Sequence, residues 1–361
     1  MKKLLPLCVA QLFVFICSAQ SLNQCEGPYV EYGKNQMIVR SIDANNKVIL
    51  DTFPISEKDG HPVTVHFSNH SDWDFSVPFQ KKITTEPFNW INTDRIIAFS
   101  DIEGEFDSFR GLLIANKVMD EKYQWIFGKG HLVICGDLFD RGNDVAAELW
   151  LLYKLEVEAK DSGGYVHTIL GNHDIMNLSG DFRYVQPKYF ERAQRMRTEY
   201  CQLYGSKTEL GRWLRSKNLI ENINADLFLH AGISPEVLAL HWPLNKINSD
   251  CRKYYDLGMH PEKFPNKDIW SFFDGDISPF WYRGYFAEPR ASQGLVDSTL
   301  SFYQCGKIIV GHDIIDSVAS FYQGKVIGID VNEHEHNSQG LLIEGNLYYK
   351  VDLTGNKYLI P

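Results

Sequence analysis

The chain of 361 residues is 44% apolar and 23% charged, and it contains no low-complexity tract. This length and composition predict a globular α/β core with an appended module and exclude an intrinsically disordered chain. The formal net charge is −10, which argues against a general attraction to nucleic acid, so binding of a nucleic-acid duplex is not expected. An acidic protein that acts on an anion needs positive charge concentrated at its site.

The first 19 residues follow the three-part order of a secretory signal peptide. Lys2 and Lys3 precede an apolar stretch over 4–16, and small residues follow up to Ala19. An apolar stretch of about 13 residues is too short to span a bilayer, so cleavage near Ala19 and a secreted or periplasmic location are expected. An uncleaved anchor and a lipid-modified Cys17 are the alternatives. No later segment is apolar enough to predict a transmembrane span in the mature chain.

Residues 20–90 are predicted to form a small antiparallel β module. Two apolar segments flank the turn-forming pair Asn45-Asn46, and segment 63–67 alternates apolar with polar residues. This module carries no residue pattern that indicates chemistry. Residues 91–361 are predicted to be a second domain, because there short strands alternate with helical stretches.

Five short apolar runs in this second domain each end in a polar residue that can bind a metal. The runs are short, β-branched and often followed by glycine, which favours buried parallel strands over helices. Because open α/β sheets bind ligands beyond the carboxyl ends of their strands, we expect the five ends to meet in one crevice. The five residues are Asp101, Asp137, Asn172, His230 and His312.

Helices and a terminal hairpin are predicted around these strands. Helical stretches are expected at 106–119, at 144–160 with Asn143 as the N-cap, and at 293–303. Gly345-Asn346 is typical of the turn of a β-hairpin near the C-terminus.

A helical insertion is predicted at about 181–229, between the third and fourth strand ends. Its segment 188–217 is polar and rich in arginine. A long insertion beside a site is either a lid over that site or an ordinary packing helix, and both alternatives remain open here.

Two motifs about thirty residues apart carry most of the chemical information. They are GDxxDRG at 136–142 and GNHD at 171–174, and HAG at 230–232 and GH at 311–312 follow in a fixed order. On these motifs the chain resembles the calcineurin-like metallophosphoesterases from Ile96 to about Asp330.

Two further segments narrow the resemblance. GDFRYV at 180–185 and PFWYRGY at 279–285 look like the Shewanella-like protein phosphatases, which are relatives of the phosphoprotein phosphatases. The resemblance implies a four-layer α/β fold, in which helices flank a central β-sandwich and a two-metal site lies at the strand ends. The expectation of parallel strands would then hold for single βα units and not for whole sheets.

The resemblance also implies a ligand set for two divalent cations. Asp137 matches the position that bridges both metals, Asp101 and Glu103 would complete the first metal site, and a hydroxide that bridges the metals would attack phosphorus in line. The second metal would be bound by Asp137 together with Asn172, His230 and His312.

Five polar residues match positions that bind the substrate, protonate it or orient the proton donor. His173 would act as a general acid toward the leaving oxygen, and Asp140 would orient its imidazole. Arg141 and Arg283 match phosphate-binding arginines, whose planar forks bind phosphoryl oxygens in pairs, and Asn172 is also assigned to substrate binding.

Glu103 departs from the family pattern, which is Asp-x-His at this point. A glutamate can still bind a metal through oxygen, but an all-oxygen first site favours Mn²⁺ or Mg²⁺ over Zn²⁺ or iron. We therefore expect manganese, with Mg, Fe or Zn as the other options. The alternative is a weak first site, with one bound metal or low activity.

Other polar clusters receive a structural interpretation. The sequence EHEH at 333–336 looks like a second metal cluster but lacks flanking ligand spacing, so a solvated loop is expected. Asp174, Asp313 and Asp330 are expected to support the ligands without binding metal directly.

Together these observations predict a secreted, two-metal phosphomonoesterase that acts on phosphoproteins or related monoesters. One alternative is a nucleotide or dinucleotide polyphosphate hydrolase. The other is a catalytically weak protein that binds a phosphorylated ligand.

Overall fold

The computed structural model describes residues 24–335 and 337–361. The predicted signal peptide at 1–19 lies outside the described residues, and so does His336 of the EHEH sequence. In the part of the chain that the structure describes, no helix is long and apolar enough to cross a bilayer.

The N-terminal region consists of an antiparallel three-stranded sheet and a two-stranded hairpin. Asn46 takes the left-handed conformation, with φ 63°, at the turn between the second and third strands. The strands are β1 (Glu26–Tyr32), β2 (Gln36–Ile42), β3 (Val48–Pro54), β4 (Val63–Val65) and β5 (Phe75–Val77).

Two mixed six-stranded sheets form the centre of the molecule. Their strands are β6 (Asn89–Trp90), β7 (Arg95–Phe99), β8 (His131–Cys135), β9 (Tyr165–Ile169), β10 (Ile220–Ile223), β11 (Asp226–Leu229), β12 (Lys307–Val310), β13 (Ala319–Phe321), β14 (Val326–Gly328), β15 (Gln339–Glu344), β16 (Leu347–Asp352) and β17 (Lys357–Leu359). The strand orders are β13-β14-β12-β11-β10-β6 and β17-β16-β15-β7-β8-β9. The neighbours β7, β8 and β9 are parallel, as are β11, β12 and β14, whereas β15 and β16 form the predicted antiparallel hairpin.

The strands carry apolar residues on both faces, so one face of each sheet packs against the other sheet and the opposite face packs against helices. Ile96 and Ala98 of β7 lie in the layer between the sheets, in one cluster with Phe228 and Ile309 of the other sheet. Ile97 of β7 belongs instead to the larger cluster that includes the helices. The predicted fold, a central β-sandwich flanked by helices, is therefore confirmed.

The helices cover the outer faces of both sheets. They are α1 (Phe106–Ala115), α2 (Val145–Asp161), α3 (Asn172–Ser179), α4 (Pro187–Arg195), α5 (Tyr200–Leu203), α6 (Glu209–Leu214), α7 (Pro235–Ala239), α8 (Leu244–Cys251), α9 (Lys267–Trp270) and α10 (Gln293–Tyr303). Helix α10 has the predicted bounds. Helix α1 ends earlier than predicted, because Lys117 has a φ of 58°, which an α-helix does not allow. The N-cap of α2 is Asp144 and not the predicted Asn143.

The helical insertion predicted at about 181–229 contains three short helices, α4 to α6, that pack onto the N-terminal region, but it ends earlier than predicted because β10 and β11 of a central sheet occupy its last ten residues. Arg192 of α4 donates to Glu26 of β1 over 2.8 Å, and Tyr32 of β1 donates to Glu209 of α6 over 2.6 Å. Tyr189 of α4, Tyr200 of α5 and Trp213 of α6 are buried. This packing favours the second alternative, ordinary packing helices, over a lid. The division of the chain at residue 90 remains a prediction.

Candidate metal centre

The ends of β7, β8, β11 and β12 and the start of α3 meet around one cleft of about 350 Å³. Asp101, Asp137, Asn172 and His312 line this cleft, and His230 is fully buried behind it. The five strand-end residues predicted to converge therefore do so. The cleft is also lined by Glu103, Arg141, His173, Arg283, Asp313, Ile314 and the segment from Asp330 to His334.

The backbone around the cleft is held in an uncommon conformation. Non-glycine residues seldom adopt a positive φ, because the Cβ atom then approaches the following carbonyl oxygen. Six residues of the site nevertheless do so, with φ between 48° and 80°. They are Asp101, Glu103, Asp137, Asp140, Arg141 and His312.

Four lone-pair atoms converge at the second predicted metal position. His230 Nε2 lies 2.8 Å from Asn172 Oδ1, 3.1 Å from His312 Nδ1 and 3.3 Å from Asp137 Oδ2. The outer nitrogens of both imidazoles face carbonyl oxygens, since His230 Nδ1 lies 2.7 Å from Cys135 O and His312 Nε2 lies 3.2 Å from Trp281 O. If these outer nitrogens carry the hydrogens, the inner ones present lone pairs, and a cation suits the four atoms.

The electrostatics of this cluster point in the same direction. Burial alone would lower the pKa of His230, but the carboxylates of Asp137 and Asp101 raise it to about 10. The pKa of Asp137 is held below its usual range, because His230 and His173 outweigh the effect of burial. The cleft thus favours positive charge at this point, which a divalent metal would supply.

The first predicted metal position is built on a second group of converging atoms. Ligand atoms of Glu103, Asp137 and His173 lie within 4.8 Å of one another. Glu103 Oε1 is buried and accepts no hydrogen bond of regular geometry from the described residues, although Arg141 contacts it as an ion pair. A buried carboxylate oxygen whose partner is the half-exposed guanidinium of Arg141 fits a cation, and so do the residues of both positions.

Asp101 lies at the end of β7 and is held by two donors. Ser100 Oγ donates to its Oδ2 over 2.5 Å, and the backbone N–H of His312 donates to the same oxygen over 3.0 Å. Burial, together with the charge of Asp137, raises the pKa of Asp101 to about 6, although His230 lowers it. The other carboxylate oxygen, Oδ1, receives neither of these two bonds.

His173 stands beside both positions with its imidazole fixed. Its Nδ1 lies 2.6 Å from Asp140 Oδ2, and Asn177 donates to the other Asp140 oxygen over 2.8 Å. His173 Nε2 lies 3.8 Å from Glu103 and 3.9 Å from Asp137. Burial alone would lower the pKa of His173, but Asp137 and Asp140 raise it.

The two predicted phosphate-binding arginines lie at the mouth of the cleft. Arg141 pairs with Glu103, and Arg283 pairs with Asp313 over 2.6 Å. Their side chains are 44% and 52% exposed, so both can reach a ligand in the cleft. Exchange of a carboxylate partner for a phosphate would keep either arginine paired.

The three acidic residues expected to have supporting roles differ in position. Asp174 accepts backbone N–H groups from Gly171, Asp137 and Leu138 over 2.7 to 3.1 Å, which holds two strand ends together. Asp313 pairs with Arg283, and Asp330 lines the cleft.

The sequence EHEH was expected to be a solvated loop, and that expectation is wrong for two residues, the buried Glu333 and His334. His334 lines the cleft, and its Nε2 lies 2.7 Å from Glu103 Oε2. The signal that could have found it is the short apolar strand β14, which ends just before Asp330 in the same way that the other strands end at the site.

Comparisons with known proteins agree with this geometry. Residues 94–316 match the sequence family described as calcineurin-like phosphoesterase. The crystal structure of the cold-active protein-tyrosine phosphatase of a psychrophilic Shewanella species superposes with a TM-score of 0.83 and 33% sequence identity, over 93% of this chain and 99% of that chain.

Two curated relatives carry the name Shewanella-like protein phosphatase. Protein phosphatase 1 of this type from Plasmodium berghei is 29% identical over 226 residues, which is 60% of this chain and 60% of that protein. Protein phosphatase 2 from Arabidopsis thaliana is 37% identical over 108 residues, which is 30% of this chain and 28% of that protein. The match thus spans less than two thirds of either protein.

Proposed function

The chain belongs to the calcineurin-like phosphoesterases and is a phosphoric monoester hydrolase, and from this premise we propose that it dephosphorylates phosphoproteins, preferentially at phosphotyrosine. The observation that carries the proposal is the convergence of metal-binding atoms, a fixed imidazole and two exposed arginines on one cleft. The name of the Shewanella phosphatase supports the substrate class.

Two divalent cations would supply an activated water and offset charge on the phosphoryl group. The first position offers oxygen ligands and the second adds two imidazoles, a combination that suits Mn²⁺ at both positions. The proposed ligands of the first metal are Asp101, Glu103 and Asp137, and those of the second are Asp137, Asn172, His230 and His312.

His173 is the proposed general acid. Its Nδ1 contacts Asp140, so that its Nε2 is the nitrogen left to donate a proton to the leaving oxygen. Although burial lowers the pKa of this imidazole, Asp137 and Asp140 raise it, which favours the protonated form that a general acid requires.

Arg141 and Arg283 are the proposed phosphate ligands. Each now pairs with a carboxylate, and each can turn its guanidinium to a phosphoryl group in the cleft. They provide the concentrated positive charge that an acidic chain needs to attract an anion.

The preference for phosphotyrosine rests on two exposed apolar side chains beside the site. Tyr184 is 44% exposed, and its ring centre lies 5.1 Å from that of His173. Ile314, 65% exposed, lines the same cleft. An aromatic leaving group can pack against these surfaces, whereas the short side chain of phosphoserine reaches less of them.

Export belongs to the same proposal. The signal pattern at 1–19 supports a secreted or periplasmic protein. Terminal sequencing of the exported protein should find a mature chain that begins near Gln20, whereas a retained chain that begins at Met1 would refute export.

A substrate panel tests the function. Phosphotyrosine peptides, phosphoserine peptides and diadenosine polyphosphates would be assayed with Mn²⁺, Mg²⁺ and Zn²⁺. We expect the highest kcat/KM with the phosphotyrosine peptides and Mn²⁺. A preference for the polyphosphates would replace the proposal, and phosphate binding without turnover would identify a binding protein.

Substitution of the aromatic rim sharpens the same test. Tyr184→Ala should lower kcat/KM for phosphotyrosine peptides by about three- to tenfold, the range that one aromatic contact supplies. Hydrolysis of phosphoserine peptides should change little. Tyr358→Ala, at an exposed tyrosine of β17 outside the cleft, is the matched control. Equal losses on both peptides would contradict the phosphotyrosine preference.

A further inference from the structure

A histidine from the C-terminal part of the chain contacts Glu103, the residue at which this chain departs from the family pattern. His334 lies in the short 3-10 turn Glu333–Glu335 that follows β14. Its Nε2 contacts Glu103 Oε2 over 2.7 Å, and its Nδ1 contacts Glu105 Oε1 over 2.9 Å. The imidazole therefore joins two carboxylates, one of which is buried in the cleft.

The turn that presents His334 is anchored on both sides. Glu333 is buried and accepts a hydrogen bond from Ser338 over 2.7 Å, and Val331 is buried before it. The backbone N–H of Glu335 donates to Asn332 O over 3.1 Å, which closes the turn. The His334 side chain is 30% exposed, and its contacts with Glu103 and Glu105 hold the ring in place.

The two oxygens of Glu103 have different surroundings. Oε1 faces the site, where it lies 3.8 Å from His173 Nε2, and Oε2 faces His334. A glutamate side chain has one more rotatable bond than the aspartates beside it, so it loses more conformational entropy when it is fixed. A contact that holds Oε2 would reduce this loss and keep Oε1 directed at the metal position.

The arrangement repeats a pattern found at the other proposed ligands. His230 and His312 each use one ring nitrogen to contact a carbonyl oxygen while the other faces the cluster. In the same way, Glu103 Oε2 contacts His334 while Oε1 faces the cluster. Partners of this kind set ligand orientation and typically change metal affinity by about 10- to 100-fold.

We propose that His334 is a positioning residue for Glu103, which it holds in the orientation that binds the first metal. The inference rests on the proposed function, because it takes Glu103 to be a metal ligand. His334 contacts carboxylate oxygens with both ring nitrogens, Glu103 Oε2 through Nε2 and Glu105 Oε1 through Nδ1. It therefore acts through Glu103 and not as a ligand.

Arg141 gives the contact a second consequence. In the structure Arg141 pairs with Glu103 Oε1, while His334 occupies Oε2. When Arg141 turns to a phosphate, Glu103 loses one partner but keeps the other. His334 thus preserves the orientation of the carboxylate during substrate binding.

The test measures Mn²⁺ binding by calorimetry and metal analysis on the full chain. Wild-type protein should bind two ions. His334→Ala should weaken one of the two by about 10- to 100-fold and leave the other unchanged. His334→Gln can still donate a hydrogen bond to Glu103 and should bind both ions within about threefold of wild type. Glu335→Gln, an exposed neighbour in the same turn, is the control.

The same substitution of His334 in a Glu103→His variant separates the positioning of Glu103 from a general effect on the structure. Glu103→His installs the Asp-x-His pattern of the family and removes the carboxylate that His334 holds. In this background His334→Ala should have no further effect on Mn²⁺ binding. Unchanged binding by His334→Ala in the wild-type background would overturn the inference, and so would a His334→Gln variant as weak as His334→Ala. If wild-type protein binds no metal, the proposed function fails instead.

Discussion

The cluster around Lys217 and the cluster in the cleft both contain buried acidic and imidazole side chains, and they differ in how their charges are balanced. Around Lys217, the ammonium group contacts Glu86 and Glu156, and His167 Nδ1 lies 2.7 Å from Glu221. In the cleft, by contrast, the inner atoms of Asn172, His230 and His312 face one another. Burial and residue type thus do not reveal a metal site, whereas potential ligand atoms that converge without a lysine or arginine among them do.

The largest expected effect comes from Asp137→Asn, which breaks the cleft cluster at its shared ligand. Turnover should fall by at least about four orders of magnitude, because two metals contribute several kcal/mol to transition-state stabilisation. Steady-state assays and metal analysis would measure the loss. Asparagine tolerates positive φ and can still accept the N–H of His173, so the circular dichroism spectrum should stay unchanged. Turnover near the wild-type rate would contradict the assignment of Asp137.

Lys217→Met breaks the balanced cluster and should destabilise the fold without any change in metal stoichiometry. It leaves Glu86 and Glu156 buried without their cation, which typically costs about 3–5 kcal/mol of unfolding free energy. Urea unfolding in the presence of EDTA measures this cost apart from metal binding. Lys253→Met removes an exposed partner of Asp250 and should leave stability close to wild type. If both variants behaved alike, the contrast between the clusters would be lost.

The smallest expected effect is a pH dependence of stability from His131, which contacts His167 over 2.8 Å. Burial, with the charge of His167, lowers the pKa of His131 from 6.5 to about 3. The unfolded chain therefore binds more protons below pH 6.5, so this contribution to stability is present above pH 6.5 and is lost as pH falls toward 3. Glu86 and Glu221 act in the opposite sense, because burial raises the pKa of each to about 8. Their contribution to the stability of the fold is lost as the pH rises through 8.

Substitution isolates the histidine from these opposing groups. Between pH 7.5 and 5.5, His131→Phe should remove about 1 kcal/mol of the acid-induced loss relative to wild type. Urea unfolding at both pH values gives this difference directly, and any constant packing effect of the phenyl ring cancels. A variant with the same pH dependence as wild type would rule out His131 as a source of acid sensitivity.

The sequence predicted the fold and most of the candidate site because both depend on local patterns. Short apolar runs predicted β7, β8 and β12, and the polar residue after each run fell in the cleft. The contact between His334 and Glu103 could not be predicted in this way, since 231 residues separate its partners. The same holds for Lys217, whose partner Glu86 is 131 residues away. Contacts of this kind depend on the packing of the two sheets.

The left-handed backbone at six residues of the cleft has a consequence for how this site can vary. Asparagine, aspartate, histidine and glycine accept a positive φ more readily than other residues, and β-branched residues accept it least. The conformation of the loops therefore limits which side chains can replace Asp101, Asp137 or His312, before any requirement of the metal applies. A saturation library at these positions should recover folded protein chiefly with those four residue types. Only the variants that keep a suitable donor atom should also retain metal.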